Sequence, residues 1–178
     1  MIFYKGKIEG LYIIESELNN DERGYFTRTF CKEEFIKAIG IDFDIKQINR
    51  SLTLKKGSIR GMHFQRKPKA EAKIVQCLKG AIYDVAIDLR KNSPTYGQWV
   101  AEKLNEKNKK MFLIPKGFAH GFQTLANNCE VQYFMSEFYS PEYGSGACWN
   151  DPFFNIKWPI KKSILSEKDK NWPLIKPR

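Results

Sequence analysis

The feature that most restricts what this chain can fold into is the way its β-branched and aromatic runs are repeatedly cut short by Gly, Pro or Asn. Lys73 to Leu89 (KIVQCLKGAIYDVAIDL) reads as two such runs broken at Lys79-Gly80. Lys110 to Ile114 and Phe118 to Leu125 form another pair around Pro115 and Gly117, a spacing that predicts a hairpin. Asn127-Asn128 then separates a strand ending near Ala126 from one over Glu130 to Met135, because Asn tolerates the positive φ of a tight turn. Helical spacing is convincing in one segment, Lys32 to Ile39 (KEEFIKAI), where Phe35 and Ile39 lie four apart and Gly40 stands where a helix would end. Strands at short intervals with few helices predict an all-β sandwich or barrel with short peripheral helices. From Pro141 onward, Pro152, Pro159, Pro173 and three of the four tryptophans predict ordered irregular structure wrapped over that scaffold.

With 178 residues, 42% of them apolar, the chain has the length for one core, so residues 1–178 are expected to form a single domain. It contains no apolar run near the roughly 20 residues of a spanning helix, and MIFYKGKIEG lacks the apolar centre of a signal peptide. No membrane association and no export are expected. Cys31, Cys77, Cys129 and Cys148 match no zinc spacing and are expected to be buried thiols in the cytoplasm. The formal charge of +10 is spread over short groups such as Lys55-Lys56 and Lys161-Lys162 rather than gathered on one helix. That distribution argues against a nucleic-acid partner and for a small anionic substrate.

Only two histidines occur, His63 in GSIRGMHFQ and His120 in IPKGFAHGFQ. Both follow glycines that let a ligand approach the backbone, and both lie near a basic residue, Arg60 or Lys116. A small β-barrel that binds a metal commonly uses an HxH pair and a carboxylate, but position 65 is Gln and no carboxylate stands at ligand spacing. No metal is therefore expected. Acid–base chemistry remains as the reading.

QINRSLTLKKGSIRGMHFQ, IYDVAIDLRKNSPTYGQW, IPKGFAHGF, WNDP and LSEKD, with an early DERGYF, together resemble the dTDP-4-dehydrorhamnose 3,5-epimerase family over roughly Lys5 to Pro173. The resemblance implies a cupin-type jelly roll, a homodimer, no metal or other cofactor, and a nucleotide-diphosphate 4-keto sugar as substrate. In such a sugar the hydrogens on C3 and C5 are α to the carbonyl. Removing one gives an enolate with its charge on O4, and returning a proton from the opposite face inverts the centre.

On this resemblance His63 matches the base, an imidazole whose free pKa of about 6.5 suits neutral pH, and Asp169 matches the carboxylate that orients it. Tyr133 matches the proton donor, and alternation puts it on one strand face with Val131 and Met135. Lys73 and Arg60 match cations near the sugar, where fixed positive charge stabilises an enolate. His120 and Tyr139 match substrate contacts, and Arg23 and Lys168 match diphosphate contacts. Gln47 and Asn49, two apart on one strand, match a nucleotide-contact pair. Two positions depart from the family pattern. Arg28 stands where RGxFxE has its Glu, and Gly144 where a Glu commonly precedes WNDP. Exchanging acceptor-only groups for a donor or for nothing suggests a different nucleotide or sugar, such as a GDP-linked 4-keto sugar or heptose of capsule synthesis, and makes Arg28 a candidate base contact. The rival readings are an epimerase of C3 or C5 alone, a non-catalytic cupin that binds nucleotide sugar, and a metal-dependent dioxygenase.

Overall fold

The computed structural model describes residues 1–177. In chain order the strands are β1 (Ile2–Lys5), β2 (Tyr12–Glu15), β3 (Leu18–Asp21), β4 (Gly24–Thr27), β5 (Gln47–Thr53), β6 (Ile59–Gln65), β7 (Lys73–Lys79), β8 (Ala81–Asp88), β9 (Trp99–Asn105), β10 (Met111–Ile114), β11 (Phe118–Thr124), β12 (Cys129–Met135) and β13 (Gly144–Gly146). Helix α1 spans Lys32–Ile39, α2 spans Glu167–Lys170, and one 3-10 turn covers Pro141–Tyr143. The architecture is the expected mostly-β cupin fold with two short helices. A six-stranded sheet, ordered β1-β2-β10-β7-β12-β5, faces a five-stranded sheet, β13-β6-β11-β8-β9, and β3-β4 form a separate hairpin. Among the described residues no strand pairing joins the two large sheets, so the edges stay open and the barrel is not closed.

The expected hairpin around Pro115 and Gly117 does not form, because β10 pairs with β2 and β7 whereas β11 pairs with β6 and β8. The chain instead changes sheets there. It does the same between β7 and β8 at Gly80 (φ +78°) and between β11 and β12 at Asn128 (φ +53°), with Gly117 at φ +88°. A left-handed residue turns the chain sharply, and here it sends the next strand into the facing sheet rather than back along its neighbour. A Cβ at Gly80 would also lie 2.8 Å from Cys129 Sγ.

Alternation then builds three apolar layers. Val75, Phe112, Phe122 and Val131 fill the space between the sheets. Ile74, Met111 and Phe134 point to the outer face of the six-stranded sheet, where α1 covers them with Phe35. That helix starts and stops where its spacing predicts, with Gly40 left-handed at φ +67°. Burying Phe35 completely contributes on the order of 2–3 kcal/mol. On the five-stranded sheet, Met62, Val85 and Ala119 are covered by Phe154 and Ile156 of the C-terminal segment, as the tryptophan-rich tail implied. Of the four free thiols only Cys77 and Cys129 are buried; Cys31 and Cys148 are partly exposed, because they lie outside the sandwich strands.

The β8–β9 turn is held by Asp88, whose fully buried carboxylate accepts from Arg90 Nη2 at 2.7 Å, from Thr95 Oγ1 at 2.7 Å and from Ser93 Oγ. Burial pushes this carboxyl up, but the Arg90, Ser93 and Thr95 hydrogen bonds outweigh it and hold the group at about 2. Lowered below its unfolded value of about 3.9, it stabilises the fold above that pH and loses this contribution as pH falls toward 2, a span worth about 2–3 kcal/mol. Urea unfolding between neutral pH and about pH 2.5 should therefore show a shallower loss of stability in Asp88→Asn than in wild type. Equal slopes would remove Asp88 from the account.

Candidate active site

Strands β6 and β11 meet at unusually short range. A Cβ at Gly61 (φ +142°) would stand 2.5 Å from Gly121 Cα, and one at Gly121 would stand 2.7 Å from Arg60 O. Glycine at both positions lets the backbones touch, and the register slips between His120 and Phe122. As a result His63 and His120, the two histidines singled out by scarcity, become direct cross-strand partners.

His63 Nε2 lies 2.6 Å from Asp169 Oδ1. The carboxylate is delivered by α2, whose Ser166 cap accepts the Asp169 N–H at 3.1 Å. This S-x-x-D pattern is a cap signal that sequence reading can detect. Asp169 is 5% exposed, so it is not a solvated acid of a charged tail. Burial alone would raise its carboxyl, but the His63 hydrogen bond and charge, with the Gly61 N–H and Trp172 indole, hold it below the ordinary value. With Nε2 engaged by the carboxylate, a neutral His63 carries its lone pair on Nδ1. Trp172 packs edge-on against the His63 ring at 6.0 Å between centroids.

His63 looks into a cavity of about 480 Å³ that it shares with Gln47, Asn49, Lys73, Tyr133, Tyr139 and Lys168. It continues into an inner recess of about 140 Å³ bounded by Arg60, His120, Lys73 and Tyr133. His63 and His120 belong to the five-stranded sheet, and Tyr133 and Lys73 to the facing one. Tyr133, packed on the central core, has its phenol raised by burial, with the Arg60 charge pulling the other way. It stays protonated through neutral pH. Arg60 is pinned by Thr53 Oγ1 at 2.9 Å. Gln47 Nε2 donates to Asn49 Oδ1 at 2.8 Å, so the two amides do share a face, while Gln47 Oε1 accepts the Tyr139 N–H at 3.0 Å. Lys168 lies over the Trp172 ring at 5.5 Å.

Two expected contacts are not brought to this pocket. Arg23 sits at the tip of the β3–β4 hairpin, 85% exposed and paired with Asp21. Arg28 follows that hairpin and pairs with Glu34 of α1. Their short connection to β2 and α1 carries them away from the cavity, and Arg28 is already occupied by a carboxylate. Gly144 does line the cavity, opposite Gln65.

Sequence reading missed Asp84. Its fully buried carboxylate lies 2.7 Å from His120 Nε2. An acid at an inward position of an otherwise apolar strand was the available signal. Gln65, noted only as the absence of a ligand, spends its amide on Lys69 O, Phe138 O and the Ser140 N–H. Among the described residues no three His, Cys, Asp or Glu side chains gather to hold a metal ion, and no helix is long and apolar enough to cross a membrane.

A histidine steadied by a carboxylate on one sheet, and a protonated phenol on the other, can remove hydrogen from one side of a bound molecule and supply it from the other. On this scaffold that arrangement suits an isomerase that inverts a carbon bearing an acidic hydrogen. The dTDP-4-dehydrorhamnose 3,5-epimerase profile matches residues 5–177, and the chain belongs to that family. It is 46% identical to the dTDP-4-dehydrorhamnose 3,5-epimerase of Methanothermobacter thermautotrophicus, over 96% of this chain and 92% of the relative. The Bacillus anthracis enzyme, crystallised with TDP and PPi bound, superposes with a TM-score of 0.94 at 41% identity, covering 98% of this chain and 99% of that one. The Legionella pneumophila enzyme in complex with dTDP-4-keto-L-rhamnose gives 0.92 at 38% identity, covering 97% and 92%.

Proposed function

We propose that this protein inverts C3 and C5 of a dTDP-linked 4-keto-6-deoxyhexose. The observation that carries the reading is the placement of His63 and Tyr133 on facing sheets of one cavity. His63 Nδ1 removes the hydrogen α to the carbonyl while Asp169 stabilises the imidazolium that forms. The enolate charge on O4 is met by Lys73 and Arg60, fixed cations that need no reorganisation. Tyr133 donates a proton to the opposite face and inverts the centre, and the same set acts on the second α carbon. His120 contacts the sugar, Gln47, Asn49 and Tyr139 line the nucleotide end, and Lys168 lies at the diphosphate.

The resemblance to enzymes crystallised with TDP or a dTDP sugar favours thymidine as the nucleoside. Arg28 gives no support to a GDP reading, since Glu34 takes its guanidinium. A homodimer is supported by the edge strand β5, where Ile48 and Leu52 are exposed with Leu54 just beyond it, and by the hairpin, which carries Arg23 and an exposed Phe26. Four free thiols suit the cytoplasm, and the activated deoxysugar product suits surface-polysaccharide synthesis.

The test is incubation of the enzyme in D₂O with dTDP-4-keto-6-deoxyglucose and, separately, with a GDP-linked 4-keto heptose, followed by NMR. Deuterium at both C3 and C5 of the dTDP sugar is expected. Deuterium at one carbon would make it a single-centre epimerase, uptake from the GDP sugar alone would change the nucleotide, and no uptake from either would leave a binding protein.

A further inference from the structure

Lys73 carries a buried companion that the mechanism has not used. Glu71, in the loop between β6 and β7, is 6% exposed, and Lys73 is 7% exposed. Glu71 Oε1 lies 3.0 Å from Lys73 Nζ, and Glu71 Oε2 accepts the backbone N–H of Gln65 at 3.0 Å. Lys73 Nζ also donates to the His63 carbonyl at 3.2 Å. Two of the three ammonium hydrogens are therefore spent on the wall. The third has the cavity in front of it, because Lys73 borders both the outer chamber and the inner recess.

We propose that Glu71 is a positioning residue for Lys73: it holds this lysine in place as a cation, with one N–H left for the carbonyl oxygen of the substrate. The inference rests on the reading of Lys73 as part of the enolate clamp. The carboxylate matters because the other charged groups around Lys73 are cations or carboxylates already bonded to a histidine. Arg60 on β6 is a cation, His63 on β6 becomes one during the proposed turnover, and His120 on β11 is bonded to the buried Asp84 carboxylate. Tyr133 on β12 is a neutral phenol, and Asp169 on α2 is taken up by His63. Removal from water adds to this pressure, since burial disfavours an ammonium. A neutral amine here would compete with His63 as a base instead of stabilising the enolate, so an anion bonded to Nζ keeps the lysine in its clamping role. Glu71 is itself held by the Gln65 N–H, so its bond to Lys73 is set by the backbone of the strand that carries His63.

Glu71→Gln preserves size and an acceptor while removing the charge, so its deficit should grow with pH. Relative to wild type, kcat/KM for the dTDP sugar should fall about tenfold or more further at about pH 9.5 than at about pH 6.5, as loss of the counter-ion lowers the lysine. Acetic anhydride labelling, quantified at Lys73 by mass spectrometry, should begin at lower pH in the variant, because only the neutral amine reacts. Glu71→Asp, which keeps the charge, should retain the wild-type shape of the profile even where its rate is lower. A constant ratio across pH with unchanged labelling would overturn the proposal and leave Glu71 a packing residue. Earlier labelling with a constant ratio would show that Glu71 holds the proton but that turnover does not use the cation, which overturns the positioning role. Full turnover by Lys73→Met would instead sink the clamp reading on which the inference stands.

Discussion

His63→Ala should lower kcat/KM by about 10²–10⁴-fold, the contribution of a positioned general base, and should abolish deuterium exchange at both α carbons together. The loss falls on the transition state, since the imidazole spends its bonds on Asp169 and on the proton in flight. Affinity for dTDP, measured calorimetrically, should change little because the end of the cavity proposed for the nucleotide is lined by Gln47, Asn49 and Tyr139, which the substitution leaves in place. Asp169→Asn should move in the same direction by removing the charge that stabilises the imidazolium, and the variant should remain folded because the Ser166 cap uses the Asp169 backbone. Exchange above about a tenth of the wild-type rate in His63→Ala would take the base role away from this residue.

Tyr133→Phe should separate two events that coincide in the native enzyme. It removes one hydroxyl from a side chain packed on the core, so the fold and the cavity wall remain. His63 can still take a proton and return a deuteron to its own face, but nothing on the facing sheet delivers one to the other side. Inversion is expected to fall by about 10²-fold or more while deuterium wash-in without inversion continues. Tyr133 is raised by burial, so an alkaline fall in the wild-type rate below about pH 10 should not come from loss of the phenolic proton. Inversion at the wild-type rate would make Tyr133 a packing residue and pass its role to Tyr139 or a water.

The residues that were easy to read are those whose signal is local. Lys32 to Ile39 announced a helix through one turn of spacing and a terminal glycine, and the structure starts and ends it there. Gln47 and Asn49 shared a face because a strand alternates, and their amides are hydrogen-bonded to each other. The histidines stood out by scarcity, and the register of β6 against β11 makes them neighbours. Arg23 and Arg28 lie away from this chain's cavity for the opposite reason: a motif places a residue in sequence, but the hairpin and α1 decide where it goes. Asp84 and Glu71 were passed over because a lone acid shows its purpose only when its partner is known, and each partner lies on another element or faces a cavity formed by several.

Local chemistry, then, accounts for what the sequence determined by itself: a mostly-β chain, its one long-enough helix, its corners, and a small set of acid–base residues whose motifs carry the family. Tertiary structure alone decided which sheet received each strand. Gly80 and Gly117 mark a turn with equal clarity whether the next strand returns beside its neighbour or crosses to the other layer, and only the burial of Val75, Phe112 and Phe122 between the sheets selects the crossing. The same holds for the site. His63 and Asp169 are separated by 106 positions, and no period or propensity links them. They meet because the C-terminal segment must cover Met62 and Val85 on the outer face of the five-stranded sheet, and in doing so it carries α2 against β6, the strand that holds His63. A contact of that kind is set by the packing of the whole chain, which is why it appears only in the folded molecule.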